Sequence, residues 1–143
     1  MALESIRYFY RSEGKRRVTV AYRHDQTTGN TSYGASIFRQ DKPDEVFVKR
    51  EHRATAQSRL QACPVRIQLD VSVIAGVERN AQQVLVEDLI RKAIHVHGVR
   101  GPRLINDGKI AQPRVPAGVQ VCIGLDPNWP GREKYLPFPG EEV

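Results

Sequence analysis

Polar and apolar positions alternate with a period of two along residues 17–23. Val18, Val20 and Tyr22 share one side and Thr19, Ala21 and Arg23 the other, as in a half-buried strand. The alternation returns over 32–39 with Tyr33, Ala35 and Ile37. The segment between, 24–31, is polar and contains Gly29 and Asn30, so the two strands are expected to form a hairpin. Residues 7–10 supply an earlier strand, with Glu13-Gly14-Lys15 as its turn. A further turn at Asp41-Lys42-Pro43-Asp44 leads into the short apolar stretch Val46-Phe47-Val48.

The period then changes. Over 51–63, Ala56, Leu60 and Cys63 recur at i, i+4 and i+7, and Pro64 stops the segment, which predicts an amphipathic helix of about three turns. Strand alternation resumes over 65–73. Asn80 serves as the expected N-cap of a second helix to about His97, with Leu85, Leu89, Ala93 and Val96 in one stripe and Val86, Ile90 and Ile94 widening it, so this helix is expected to pack on a sheet. Its charges compensate one another through Glu87 with Arg91 and Asp88 with Lys92, both at i, i+4.

Residues 98–118 hold four glycines and three prolines, a connection too long and too punctuated to be idle in a compact domain. Part of it is expected to fold as a small hairpin around Asn106-Asp107-Gly108. A last strand covers 119–125, and a Pro-rich tail, 126–143, follows an extended path. The fold class is therefore α+β: one domain over 1–143, a mainly antiparallel sheet packed with two α-helices, and a long Gly/Pro-rich loop after the second helix.

Composition narrows the function classes. With 143 residues, 40% hydrophobic and 27% charged, the chain matches an ordinary globular domain, and no apolar run is long enough for a membrane helix. An acid and a base near the start, Glu4 and Arg7, stand where a signal peptide has its apolar core, so the expected location is the cytoplasm, with Cys63 and Cys122 as reduced, buried thiols. No phosphate-cradling glycine loop occurs. His95 and His97, two residues apart at a helix end, point to different sides and make a poor zinc pair. No acid, base and nucleophile fall together, so the chain is read as non-enzymatic and without a cofactor.

Charge is distributed unevenly. The net charge is +6, and all of the excess lies in residues 1–66, with 13 basic residues against 7 acidic ones; the remainder has 9 of each. Such a field draws anions, whether nucleotide, nucleic acid or acidic protein. Seven of the ten aromatic residues lie in the same part: Tyr8, Phe9, Tyr10, Tyr22, Tyr33, Phe38 and Phe47. Rings near guanidinium groups suit ligands that present both a π face and a phosphate. The densest basic run lies at the start of the first helix, where Lys49, Arg50, Arg53 and Arg59 add to the positive end of the helix dipole. Simple solvation, or pairing of Arg53 and Arg59 with acids of the same domain, is the competing reading.

The stretch Tyr33-Gly34, a turn, Phe47-Val48-Lys49, then Arg53-Ala54-Thr55-Ala56-Gln57-Ser58-Arg59-Leu60 resembles the first described family of phage anti-Thoeris proteins, the cyclic-nucleotide sponges. The resemblance spans roughly 17–103; the Pro-rich tail has no counterpart. It implies binding and sequestration, without chemistry, of a cyclic ADP-ribose-type signal by a homo-oligomer in the host bacterial cytoplasm. It also implies Arg53 and Arg59 as phosphate contacts, Phe47 and Tyr33 as ring partners, and Arg100 and Arg103 as a lid. Lys49 joins this candidate set from the basic run. A small single-stranded nucleic-acid-binding module is the alternative function, and an inhibitor docking on an acidic protein is the third.

Overall fold

The computed structural model describes residues 5–40, 46–70, 72, 76–99, 102–105, 109–115, 118–126, 128 and 129. Its elements are strands β1 (Arg7–Glu13), β2 (Arg16–His24) and β3 (Asn30–Arg39), helix α1 (Lys49–Gln61), β4 (Val65–Leu69), helix α2 (Arg79–His97) and β5 (Val121–Leu125). The strands form one sheet in the order β1-β2-β3-β4-β5, and every pairing is antiparallel. The chain is an α+β fold. Gly14 lets the first hairpin close in two residues, because its φ of 59° is one that L side chains rarely adopt.

Register decides which side chains share a face. Phe9, Val20 and Ala35 align across β1, β2 and β3, as do Tyr22 and Tyr33, and all point to one side. There they meet Val86, Leu89, Ile90 and Ala93 of α2, together with Val65, Ile67, Leu69 and Ile123. Tyr8, Ala21 and Gly34 form the neighbouring row on the opposite face, where Ala56 and Leu60 of α1 cover them. The two helices thus sandwich the sheet. Polar contacts anchor α2: Tyr22 donates to Glu87 at 2.8 Å, Arg7 to Gln83 at 2.8 Å, and Gln82 is hydrogen-bonded to His24 at 3.0 Å.

Glu87 is occupied by Tyr22 and Gln83, so it does not make the expected pair with Arg91. Asp88 instead holds both Arg91, at 2.8 Å, and Lys92, at 3.0 Å. Helix α1 starts at Lys49, two residues before the predicted start, and α2 starts at Arg79 with Glu78 rather than Asn80 at the N-cap. Cys63 is half-buried, whereas Cys122 is exposed, contrary to expectation. The reason is positional: Cys122 lies opposite Gln68 on the α1 side of the sheet, and α1 packs mainly over β2 and β3, away from β5. Of the expected hairpin in the long loop, an antiparallel bridge joins Leu104 to Ile110; residues 106–108 lie outside the described residues, as does the tail beyond Trp129.

Gly34 sets the distance between α1 and the sheet. A Cβ there would stand 2.2 Å from both the Ala56 carbonyl oxygen and the Leu60 nitrogen, so the helix backbone occupies the place of a side chain. Those obstructing atoms are backbone and cannot turn aside. Gly34→Ala is therefore expected to lower unfolding stability by about 2–3 kcal/mol in chemical denaturation, by overpacking. Unchanged stability would disprove this account of how α1 is seated.

Candidate functional site

Beneath the first turns of α1 the sheet presents Tyr10, Thr19 and Ser36, aligned across β1, β2 and β3. The next row holds Ser12, Arg17 and Phe38. Ser36 and His52 are hydrogen-bonded at 2.6 Å between Oγ and Nδ1, which ties the helix to the sheet. The Phe47 ring stacks on His52 with centroids 4.9 Å apart and planes 13° apart, and Phe38 packs edgewise on His52 at 5.6 Å. The Arg17 guanidinium lies 4.3 Å from the Phe47 centroid.

Lys49 and Arg53, one helical turn apart, face the β1 tyrosines. Lys49 Nζ is 4.4 Å from the Tyr10 ring centre; the Arg53 guanidinium is 5.5 Å from that of Tyr8, and its Nε donates to the Tyr10 hydroxyl. Each such cation–π contact contributes about 0.5–1 kcal/mol at an exposed site. It orients a cation without neutralising it. Among the described residues, no carboxylate lies within ion-pair distance of Arg17, Lys49 or Arg53. The N-cap of α1 is Val48, which supplies no capping hydrogen bond, so the positive end of the helix dipole adds to these charges, with Glu51 the one acid in the first turn.

A cavity of about 190 Å³ opens here, lined by Tyr10, Ser12, Arg17, Thr19, Phe47 and Lys49 among others. Thr19 is fully buried, and its Oγ1 has no hydrogen-bond partner. Tyr10, by contrast, is 38% exposed at the rim.

The seven candidate residues do not form one cluster. Phe47, Lys49 and Arg53 come together as described. Arg59 lies in the last turn of α1 and donates from Nη1 to the Ala35 carbonyl at 2.7 Å. It lines a separate cavity of about 490 Å³ with Tyr33, Gly34, Cys63, Gly98 and Val99. Tyr33 is 5% exposed within the core, and burial pushes its phenol pKa up. Its neighbour Cys63 donates to the Val65 carbonyl, and burial raises the thiol pKa, so it is held as the thiol. Arg103 lies in the connection after α2, where its N–H donates to Nδ1 of His97, the last residue of the helix, at 2.8 Å, and Arg100 lies outside the described residues.

Sequence reasoning missed Thr19 and left Arg17, Tyr8 and Tyr10 unassigned. The alternation did place Thr19 opposite Val18 and Val20. That second face became informative only once α1 was seen to cover it.

Among the described residues, no three His, Cys, Asp or Glu side chains group as a metal ion would require, and no helix is long and apolar enough to cross a membrane. No family model matches the chain, and no match is found among curated proteins or solved structures.

The buried histidines give the fold a pH dependence. Burial, reinforced by the nearby Arg103 guanidinium and opposed by the Ala111 carbonyl, lowers the His97 pKa below the usual 6.5. Burial also lowers that of His24, against the pull of Asp25. Both take up protons more readily when unfolded, so stability is full above the unfolded value and declines as pH falls below about 6.5. Amide hydrogen exchange is expected to show lower protection of Arg103 at pH 5 than at pH 7. Equal protection at both would mean that His97 does not hold this backbone.

Proposed function

We propose that this protein binds a phosphate-bearing nucleotide at the junction of α1 with β1 and β2 and withholds it without chemical change. The ligand class implied by the resemblance, a cyclic nucleotide of the cyclic ADP-ribose type, is the one put forward here. The supporting observation is that Arg17 and Lys49 line one concavity with Arg53 beside it on the β1 tyrosines, each cation oriented by a ring and none offset by a described carboxylate. Cations so arranged stay available for charge-assisted bonds to phosphate oxygens. Tyr33 is buried and the Phe47 ring is stacked on His52, whereas Tyr10, which Lys49 and Arg53 also contact, is 38% exposed; Tyr10 is therefore put forward as the platform for a base.

Binding is favoured over turnover because the serine that has a histidine beside it is shielded. Ser36, bonded to His52, is 5% exposed beneath the helix. Among the described residues, no hydrogen bond pairs an accessible nucleophile with a general base at the concavity. A second reading rests on the same exposed face: a single-stranded nucleic acid lying across Arg17, Lys49, Arg50 and Arg53, stacking one base on Tyr10. A homo-oligomer acting in a bacterial cytoplasm belongs to the proposal and rests on the resemblance alone.

The test is to incubate the protein with a mixed nucleotide extract, remove unbound material, heat-denature the protein and identify what is released by mass spectrometry. An intact cyclic nucleotide is expected. A cleaved product would establish a phosphodiesterase, and oligonucleotide binding that weakens steeply with salt would favour the second reading. Arg53→Ala and Lys49→Ala are each expected to weaken capture about tenfold, near 1.5 kcal/mol. Arg59→Ala, in the other cavity, is expected to leave capture within about twofold; a tenfold loss there alone would move the site to that cavity.

A further inference from the structure

We infer that the cavity over Thr19 is the seat of a phosphate group, with the Thr19 hydroxyl as the donor at its floor. This rests on the nucleotide-binding reading and assigns it a subsite. Three hydroxyls align across the sheet beneath α1, those of Tyr10, Thr19 and Ser36. Tyr10 is engaged by Arg53 and Ser36 by His52; Thr19, the most deeply buried of the three, has no partner. A buried hydroxyl without a hydrogen bond bears its desolvation cost uncompensated. Valine has nearly the same shape and strand preference without that cost, so packing alone gives no reason for the oxygen.

The surroundings specify the missing partner. Lys49 and Arg17 line the cavity, and the N-terminus of α1 beside it carries no side-chain cap. A hydroxyl donor, two cations and the positive end of a helix dipole all call for an acceptor rich in negative charge. They oppose a metal ion or an ammonium group. A volume of about 190 Å³ is ample for one hydrated phosphate group. With the phosphate seated over Thr19, the base and ribose are assigned to the rim at Tyr10.

The phosphate comes either from the nucleotide or from the free ion, and calorimetry on the full chain separates the two. Inorganic phosphate and adenosine monophosphate are each titrated into the wild type, Thr19→Val and Thr19→Ser, with the Tm of each variant measured in phosphate-free buffer. Thr19→Val is expected to bind both titrants at least tenfold more weakly, while its Tm without phosphate is unchanged or higher. Thr19→Ser is expected to bind within about threefold of the wild type. A wild type that binds adenosine monophosphate with the same affinity as Thr19→Val overturns the subsite and leaves nucleotide binding standing. A wild type that binds neither titrant overturns the subsite, and release of no nucleotide in the capture experiment overturns the nucleotide reading itself. A lowered Tm in Thr19→Val also overturns the inference, because the hydroxyl would then serve the fold.

Discussion

The backbone-to-backbone approach of α1 to β3 at Gly34 fixes everything on that side of the sheet. With no side chain between them, the helix settles close enough for Ala56 and Leu60 to close over Ala21, and for His52, one turn before Ala56, to reach Ser36. The same approach sets the heights of Lys49 and Arg53 over Tyr10 and Tyr8. A helix displaced by even the width of a methyl group would lose these contacts together, since interiors at close-packed density do not deform gradually.

This also changes what the short motif in the sequence means. Tyr33-Gly34 and the Ala56 and Leu60 spacing of α1 carry the resemblance to the cyclic-nucleotide sponges, yet in the structure these residues make the helix–sheet joint and the core. Of the residues in that motif, Phe47 and Lys49 line the concavity, whereas Tyr10, Arg17 and Thr19 come from β1 and β2, outside it. Residues that make a helix–sheet joint do not specify a ligand; the ligand has to be argued from the side chains around the opening.

Much of the fold was legible because alternation and helical spacing are local. The alternation at 17–23 and 32–39 identified β2 and β3, and Pro64 bounded α1. Strand alternation shows that two faces exist without showing which helix covers which. The exposure of Cys122 and the importance of Thr19 both depended on that choice. Arg53 and Arg59 lie six positions apart, about one and two-thirds turns, which leaves them roughly 120° apart around the helix axis, so one faces the β1 tyrosines and the other the Ala35 carbonyl. The separation of Arg59 from Lys49 and Arg53 follows from that rotation, which the basic run alone did not reveal.

All the side chains around the Thr19 opening belong to residues 10–49, and the strands that carry them are joined by short turns. Bringing such neighbours together costs little chain entropy, in contrast to the pairing of β4 with β5, which must enclose the whole of α2. The recognition surface is therefore the locally encoded part of the molecule, and the distant strands act as its buttress. Insertions between β4 and β5 would lengthen that buttress while leaving the grip itself in place.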